Sequence, residues 1–382
     1  MSAHALLSAS AAEKWLNCPP SARLEETMPE STTSYAEEGR LAHAIAELKL
    51  RKYLEPMGPR KFNSALKKLQ TDPLYQPEML KHTDTYVEYV QSILHQYALA
   101  PYATIEKKVD YSAYAPEGFG TADCIVIGGV TMHVIDFKYG KGVPVSAQNN
   151  PQMMLYAIGA YAAYAILYGI ENIKMAIVQP RIDNISECTM TIEDLLAWGE
   201  SIKPIAQKAY FGEGECKSGD HCRFCRAKSQ CRARAEIHLG LEEFGKMLPP
   251  LISNEEVGQI LERAQNLARW VKDLEDYALA ECLMGNEIPG WKAVEGRSIR
   301  QFVNLEAAFK TVIDAGYDEA LLYERKPITL TAVENLLGKA KFSELLAEHV
   351  NKPAGKPALV AESDRRDAIK PMTAKQAFSN AE

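Results

Sequence analysis

Apolar side chains recur at three- and four-residue intervals over residues 10–16, 36–51 and 82–97, the spacing that lines one face of a helix. Pro56 to Pro59 breaks the pattern between the second and third of these, as Pro and Gly do where a helix cannot continue. The period then shortens. Residues 104–110, 123–127 and 131–137 are short β-branched or alternating runs, with Pro116-Glu-Gly and Gly128-Gly between them, which predicts three strands of one sheet. Asn150 followed by Pro151 predicts a helix start, because the first helical position has no use for an N–H. That helix is expected to run to Ile170, followed by a strand over 173–179, another over 187–192 and a helix from Glu193. The order helix, three strands, helix, strand predicts a mixed α/β core with helices packed on the sheet.

A cysteine-rich segment follows at 216–231, and helical spacing returns over 235–284, 305–315, 331–338 and 342–350. Thr331 and Glu334 form a capping-box pattern. The expected organisation is an N-terminal helical part (1–100), an α/β core (101–212), the cysteine segment (213–235), a helical C-terminal domain (236–351) and a flexible tail (352–382) rich in charge. Residues 153–170 are uncharged, long enough for a membrane-crossing helix. Their Ala, Tyr and Gly content and the absence of flanking Lys or Arg clusters predict a buried core helix instead.

With 382 residues, 47% of them apolar and 24% charged, the chain has the composition of a folded protein with a sizeable core. Its formal net charge of -7 excludes coating of nucleic acid by bulk electrostatics, so any such contact has to be local. The first residues lack a basic stretch leading into a long apolar run, and a cytoplasmic setting is expected. In that setting cysteines are expected to bind metal, to act in chemistry or to be buried.

The chemistry concentrates between Gly120 and Lys138. Side chains alternate along a strand, so Asp136 and Lys138 share a face while Phe137 points to the other. Asp123 begins the neighbouring strand of the expected hairpin. Two carboxylates and the backbone carbonyl of Phe137 make an oxygen-rich site suited to Mg²⁺ or Mn²⁺, and a neighbouring ammonium can orient a nucleophile and offset charge on phosphorus. An isolated D-x-K is more often an ion pair at a strand end, so its surroundings decide.

Those surroundings resemble the RecB-like branch of the PD-(D/E)XK nuclease superfamily over roughly the first 235 residues. Glu38-Gly-Arg-Leu-Ala-His43 is similar to that family's helical Gly-x-x-x-His motif, Gly120 to Asp123 to its first acid, Asp136-Phe137-Lys138 to its acid-x-Lys, and Gln152-x-x-x-Tyr156 to its helix motif. The resemblance implies a restriction-endonuclease-like core, metal ligation by His43, Asp123 and Asp136, and roles in catalysis for Lys138, Gln152 and Tyr156. The last two lie one helical turn apart on one face.

Three of eight cysteines fall in Cys222-x2-Cys225-x5-Cys231, spacing that brings several thiolates to one centre and on its own also allows zinc. With Cys18 as a distant fourth ligand it resembles the iron-sulfur staple of AddB-type and CRISPR-associated RecB-like nucleases, which implies a 4Fe-4S cluster; Cys216 is the rival fourth ligand. Cys124, Cys188 and Cys282 are expected to be small buried hydrophobes. Arg223, Arg226, Lys228, Arg232 and Arg234 are either a grip on DNA backbone or a solvated helix face. Gly290-Trp-Lys with Arg297 and Arg300 mixes an aromatic with basic groups, as single-strand platforms do. Together these predict a metal-dependent DNA nuclease, an exonuclease or end-processing enzyme. Its expected partners are single- or double-stranded DNA ends and a single-strand-binding or annealing protein. The remaining C-terminal part resembles a phage and prophage protein family, which implies phage recombination or replication. No P-loop motif is present. The alternative is a noncatalytic DNA-binding or scaffold module with a structural iron-sulfur or zinc centre.

Overall fold

The short alternating runs become the five strands of one sheet: β1 (Tyr102–Asp110), β2 (Phe119–Gly128), β3 (Thr131–Phe137), β4 (Asn172–Gln179) and β5 (Asn184–Thr191). They lie side by side in sequence order. Only β3 and β4 are parallel, because a helix spans the connection between them. In this computed structural model of the chain, the described residues are 5–29, 34–240, 253–294, 304–315, 318–322, 333–334, 337–346 and 349–350. The chain divides into two units, Met1–Val294 and Glu295–Glu382.

In the first unit the helices are α1 (Ala12–Asn17), α2 (Ser21–Glu26), α3 (Ser34–Leu54), α4 (Pro59–Gln70), α5 (Glu78–Leu94), α6 (Pro151–Tyr164), α7 (Ile192–Phe211), α8 (Arg232–Leu239) and α9 (Asn254–Met284). The second unit holds α10 (Leu305–Asp314), capped by the Asn304 side chain on the Ala307 N–H at 3.0 Å, a 3-10 turn (Glu319–Leu322) and α11 (Lys339–Leu346). Thr331, Arg297, Arg300 and the expected tail lie outside the described residues.

The alternation of side chains gives the sheet two apolar faces. On one, Ile125, Ile127, Met132, Val134, Ile173 and Ile177 pack with Trp15 and with the apolar length of α6. On the other, Cys124, Val126, Ile135, Phe137 and Val178 meet Leu41, Ile45 and Leu50 of α3 and Tyr86 and Val90 of α5. Each of the larger buried aliphatic side chains contributes about 1.5–3 kcal/mol, which makes the sheet interior the main source of stability. Helix α6 is buried over most of its length, since it packs between the sheet and side chains such as Trp15 of α1 and Leu195 and Ile202 of α7. Asn150 caps it through the Met153 N–H at 3.2 Å. It stops at Tyr164, six residues before the expected end. The chain there passes beyond the sheet and turns, leaving Ile166 and Leu167 in solvent. Among the described residues no helix is long and apolar enough to cross a membrane.

His133 is a buried titratable group of the second face, with its Nε2 2.7 Å from the Tyr97 hydroxyl. Burial and then Lys174 lower its imidazole to about 4, below the ordinary 6.5. The unfolded chain therefore takes up a proton below pH 6.5 that the folded chain refuses until about pH 4, so stability is retained above 6.5 and lost as pH falls through that window. Urea unfolding at pH 7 and pH 4 should show the wild type losing about 3 kcal/mol more than His133→Gln. Equal losses would show that this histidine is not held neutral.

Candidate functional site

The sheet forks at its functional end. β2 and β3 are paired from Gly128–Thr131 down to Cys124–Ile135 and no further. Beyond that rung β2 stays with β1, and Asp136 and Phe137 stay with β4. The Phe137 N–H, left without a β2 carbonyl, donates to Asp123 Oδ2 at 2.7 Å. One carboxylate thus replaces a backbone acceptor, and the other, on Asp136, sits across the fork.

A second irregularity lies one strand over. The β1–β2 ladder is complete except at Glu106 and Asp123, which should face each other. Glu106 has φ 49°, a left-handed conformation that costs a non-glycine residue about 1–2 kcal/mol. Ile105 and Val109 should share a face at regular spacing, yet they enter opposite cores. Ala122 and Cys124 do the same. Both strands change phase at the same rung, and the result is that Glu106, Asp123 and His43 of α3 bring ligand atoms within 4.8 Å of one another. His43 Nδ1 is 3.6 Å from Asp123 Oδ2, and its ring meets Phe137 edge-on at 5.1 Å.

Helix α6 closes the other side. Gln152, in its first turn, donates from Nε2 to Asp136 Oδ1 at 3.1 Å and accepts from Lys138 Nζ on Oε1 at 3.2 Å. The Tyr156 hydroxyl lies 3.4 Å from Gln152 Nε2. Its ring is so close to β2 that a Cβ on Gly120 would stand 2.6 Å from it; only glycine admits this approach. Lys138 Nζ is 3.1 Å from Asp136 Oδ2, but off the direction of a hydrogen bond. That oxygen is buried without a hydrogen-bond partner, an expensive state that a cation would relieve.

The charges respond to one another. Burial raises Asp123, but His43 and the Phe137 N–H more than offset it, and its carboxyl is held below the usual range. Burial raises Asp136, and Asp123 adds to this against the pull of Lys138, so it sits above. Glu106 is pushed up to about 7 by burial and then by Asp123 and Glu47. Burial lowers His43 and Lys138, but the neighbouring acids leave both raised.

All seven residues expected at the site, His43, Asp123, Asp136, Phe137, Lys138, Gln152 and Tyr156, come together at this fork. Glu106 was not expected. Its only trace in the sequence is the broken alternation of Ile105-Glu-Lys-Lys-Val109. Glu38 is instead in an ion pair, 3.1 Å from Arg181.

The cysteines form a second cluster where α1 meets the segment after α7. Cys18 is buried and accepts from the Lys217 N–H at 3.5 Å; Cys222 accepts from the Gly219 N–H at 3.4 Å. His221, with Nε2 2.9 Å from the Lys217 carbonyl, interacts with both thiols and is raised to about 10 by them. Cys216, exposed, interacts with Cys18, Cys231 and Cys222, so both rival ligands stand beside the triplet. Among the described residues no three of these sulfurs come within 4.8 Å of one another, since the one group of that tightness is His43, Glu106 and Asp123. Beneath them Lys14 and Glu25 pair at 2.6 Å, and Glu25 accepts from the Arg226 N–H at 2.7 Å. Cys124 is buried as expected, whereas Cys188 and Cys282 are half-buried. The basic run is largely spent inside the fold: Arg226 donates to the Met28 carbonyl, and Lys228 and Arg234 pair with Asp273 at 2.7 and 2.6 Å. Trp291 is exposed, beside a single bridge to Ile288.

Divalent cations should raise thermal stability through the His43 cluster. At about a hundredfold excess over Kd, Mn²⁺ should add about 2.7 kcal/mol, and Asp123→Asn should lose most of that gain. An unfolding temperature indifferent to Mn²⁺ in the wild type would remove the metal reading.

A family model described as "Protein of unknown function (DUF2800)" matches residues 4–367. Among solved structures, the one described as "Crystal structure of SSO0001" is 16% identical with a TM-score of 0.24, covering 58% of this chain and 96% of that one.

Proposed function

We propose that the chain, which belongs to the DUF2800 family, is a Mg²⁺- or Mn²⁺-dependent deoxyribonuclease of the RecB-like PD-(D/E)XK kind, acting as an exonuclease or on DNA ends. The observation that carries this is the fork, where Asp136, Lys138 and Gln152 form one hydrogen-bonded set beside Asp123, which holds the Phe137 N–H and belongs to a cluster of ligating atoms.

The residues fit a hard divalent ion. Oxygen donors with one imidazole are the set that Mg²⁺ and Mn²⁺ accept, and Asp136 Oδ2 is buried without a hydrogen bond, with only the Lys138 ammonium beside it. His43, Asp123, Asp136 and the Phe137 carbonyl would hold the ion, with Glu106 an added donor. When bound, it supplies electrophilic activation of a phosphate and a more acidic bound water. The chain's own part is positional and electrostatic. Lys138 stays protonated between two acids and presents an ammonium where negative charge grows on phosphorus. Gln152 ties Lys138 to Asp136, so acid and base keep one separation. Tyr156 and Gly120 bring α6 against β2 and close the site from below.

A structural 4Fe-4S cluster on Cys18, Cys222, Cys225 and Cys231 completes the reading. The spacing of the triplet also allows zinc, and the resemblance to iron-sulfur nucleases is what favours the cluster. A DNA-binding module without cleavage accounts for the cysteines but not for an ammonium paired with the buried Asp136 next to a cluster of ligating atoms. Phage recombination or replication, with a single-strand-binding or annealing protein as partner, fits an end-processing enzyme.

End-labelled linear DNA, single- and double-stranded, should be digested with Mn²⁺ and spared with EDTA. Asp136→Ala should lose at least about a hundredfold in rate, the scale of one group that stabilises transition-state charge; undiminished cleavage by the variant would end the assignment. Separately, anaerobically purified protein should show a broad visible absorption band that a chelator of iron removes. A colourless preparation with stoichiometric zinc would replace the cluster with zinc and leave the nuclease reading standing.

A further inference from the structure

We propose that the outer face of α4 is a docking surface for the sugar-phosphate backbone of nucleic acid. The inference names the partner surface of the proposed nuclease, and its test does not depend on cleavage.

Helix α4 carries Arg60, Lys61, Lys67 and Lys68 and no acid. Residues 60 and 67, and 61 and 68, are seven apart, which places two pairs of cations on one side of the helix about 10 Å from each other. The other side holds Phe62, Leu66 and Leu69; Leu66 and Leu69 pack on the α3 and α5 core. All four cations are exposed, and none is in an ion pair among the described residues. Of the acids towards the two ends of the helix, Glu55 pairs with Arg51 at 2.7 Å, while Asp72, which accepts the Leu74 N–H at 2.9 Å, and Glu37 lie beyond the last turn and keep their charge. Lys52 of α3, exposed with its Nζ 4.1 Å from the Phe62 ring centroid, adds a fifth positive charge at one end.

An ordinary solvated helix face mixes signs, and a chain of net charge -7 has every opportunity to do so. Here the acid side chains are missing from one helix. Double-stranded DNA carries one phosphate per about 3.4 Å on each strand, so cations spread over about 10 Å meet several phosphates of one backbone.

The position fits as well. Helices α3 and α4 run antiparallel, since Lys52 meets Phe62 at one end and Leu41 lines a shared cavity with Asp72, Pro73 and Leu74 at the other. Lys67 and Lys68 are therefore level with the turn of α3 that follows His43. Of the four cations, Lys67 and Lys68 are thus the pair nearer to His43 along the helix direction, and they supply an attraction for phosphate that the acids of the cluster oppose. The basic run near the cysteines is less suited to this, because three of its five cations, Arg226, Lys228 and Arg234, are engaged within the fold.

The test uses the full chain in EDTA, so that nothing is cut, with fluorescently labelled 30-base-pair duplex and 30-nucleotide single strand. For Arg60→Gln, Lys61→Gln, Lys67→Gln and Lys68→Gln combined, Kd should rise at least about tenfold at 100 mM salt. The slope of log K against log salt should fall by about 3. An unchanged circular dichroism spectrum and an unchanged Mn²⁺-induced thermal shift show that the fold and the His43 cluster survive. Unchanged affinity and slope for both nucleic acids would overturn the proposal, as would a preference of the wild type for phosphatidylglycerol vesicles that the same substitutions abolish. Absence of DNA cleavage in the earlier assay would count against the nuclease reading alone.

Discussion

Everything at the functional end follows from two strands that part company. Antiparallel pairing normally satisfies each inward N–H with a carbonyl, and β2 and β3 give this up after Cys124 and Ile135. The cost is met by a side chain: Asp123 accepts the Phe137 N–H. That exchange places a half-buried carboxylate where the ladder would otherwise continue. The opening of the fork then leaves room for Asp136, for Gln152 from α6 and for His43 from α3. Helices from both faces of the sheet can reach the same few atoms only where the sheet between them is split.

Burying this much charge is unfavourable unless each group is answered. Asp123 has an imidazole and an N–H, so it is held ionised. Asp136 has a lysine at its side and an oxygen with no donor, so burial dominates it. Two carboxylates a fork apart thus have opposite leanings, which is the usual signature of a site built for chemistry. Glu106 is the third acid, in a strained conformation that the surrounding ladder imposes, and strain of this kind gathers at functional positions.

Much of this was legible in the order of residues. The strands were readable because alternation has a period of two and the turns carry Pro and Gly; β3 matches its expected span, residue for residue. Asp136 and Lys138 share a face for the same reason. Glu106 was hidden because its position depends on a phase change in two strands at once, and a period-based reading assumes that phase is kept. Helix α4 was hidden behind Pro56 to Pro59, which reads as a break although Pro59 is its first residue. The end of α6 was misplaced because Ile166 and Leu167 look like core and lie outside it. The basic residues beside the cysteines read as a surface patch, but three of the five are engaged in intramolecular contacts that no local pattern encodes.

The cysteine cluster solves a different problem. Cys18 and Cys222 are more than two hundred positions apart in the chain, and bringing them together closes a loop around the whole sheet, a cost that grows only slowly with length. The closure does not rest on thiols alone. Lys14 joins Glu25 and the Phe224 carbonyl, and Glu25 takes the Arg226 N–H, all at a partly buried site. A half-buried ion pair stripped of one member would be strongly unfavourable, so the three segments are held in register by polar contacts that have to be satisfied together. The thiols are then presented beside one another by backbone N–H groups from Lys217 and Gly219. The polar clasp therefore sets the place of the cysteines, and a metal centre bound there would reinforce a junction that the fold has already made.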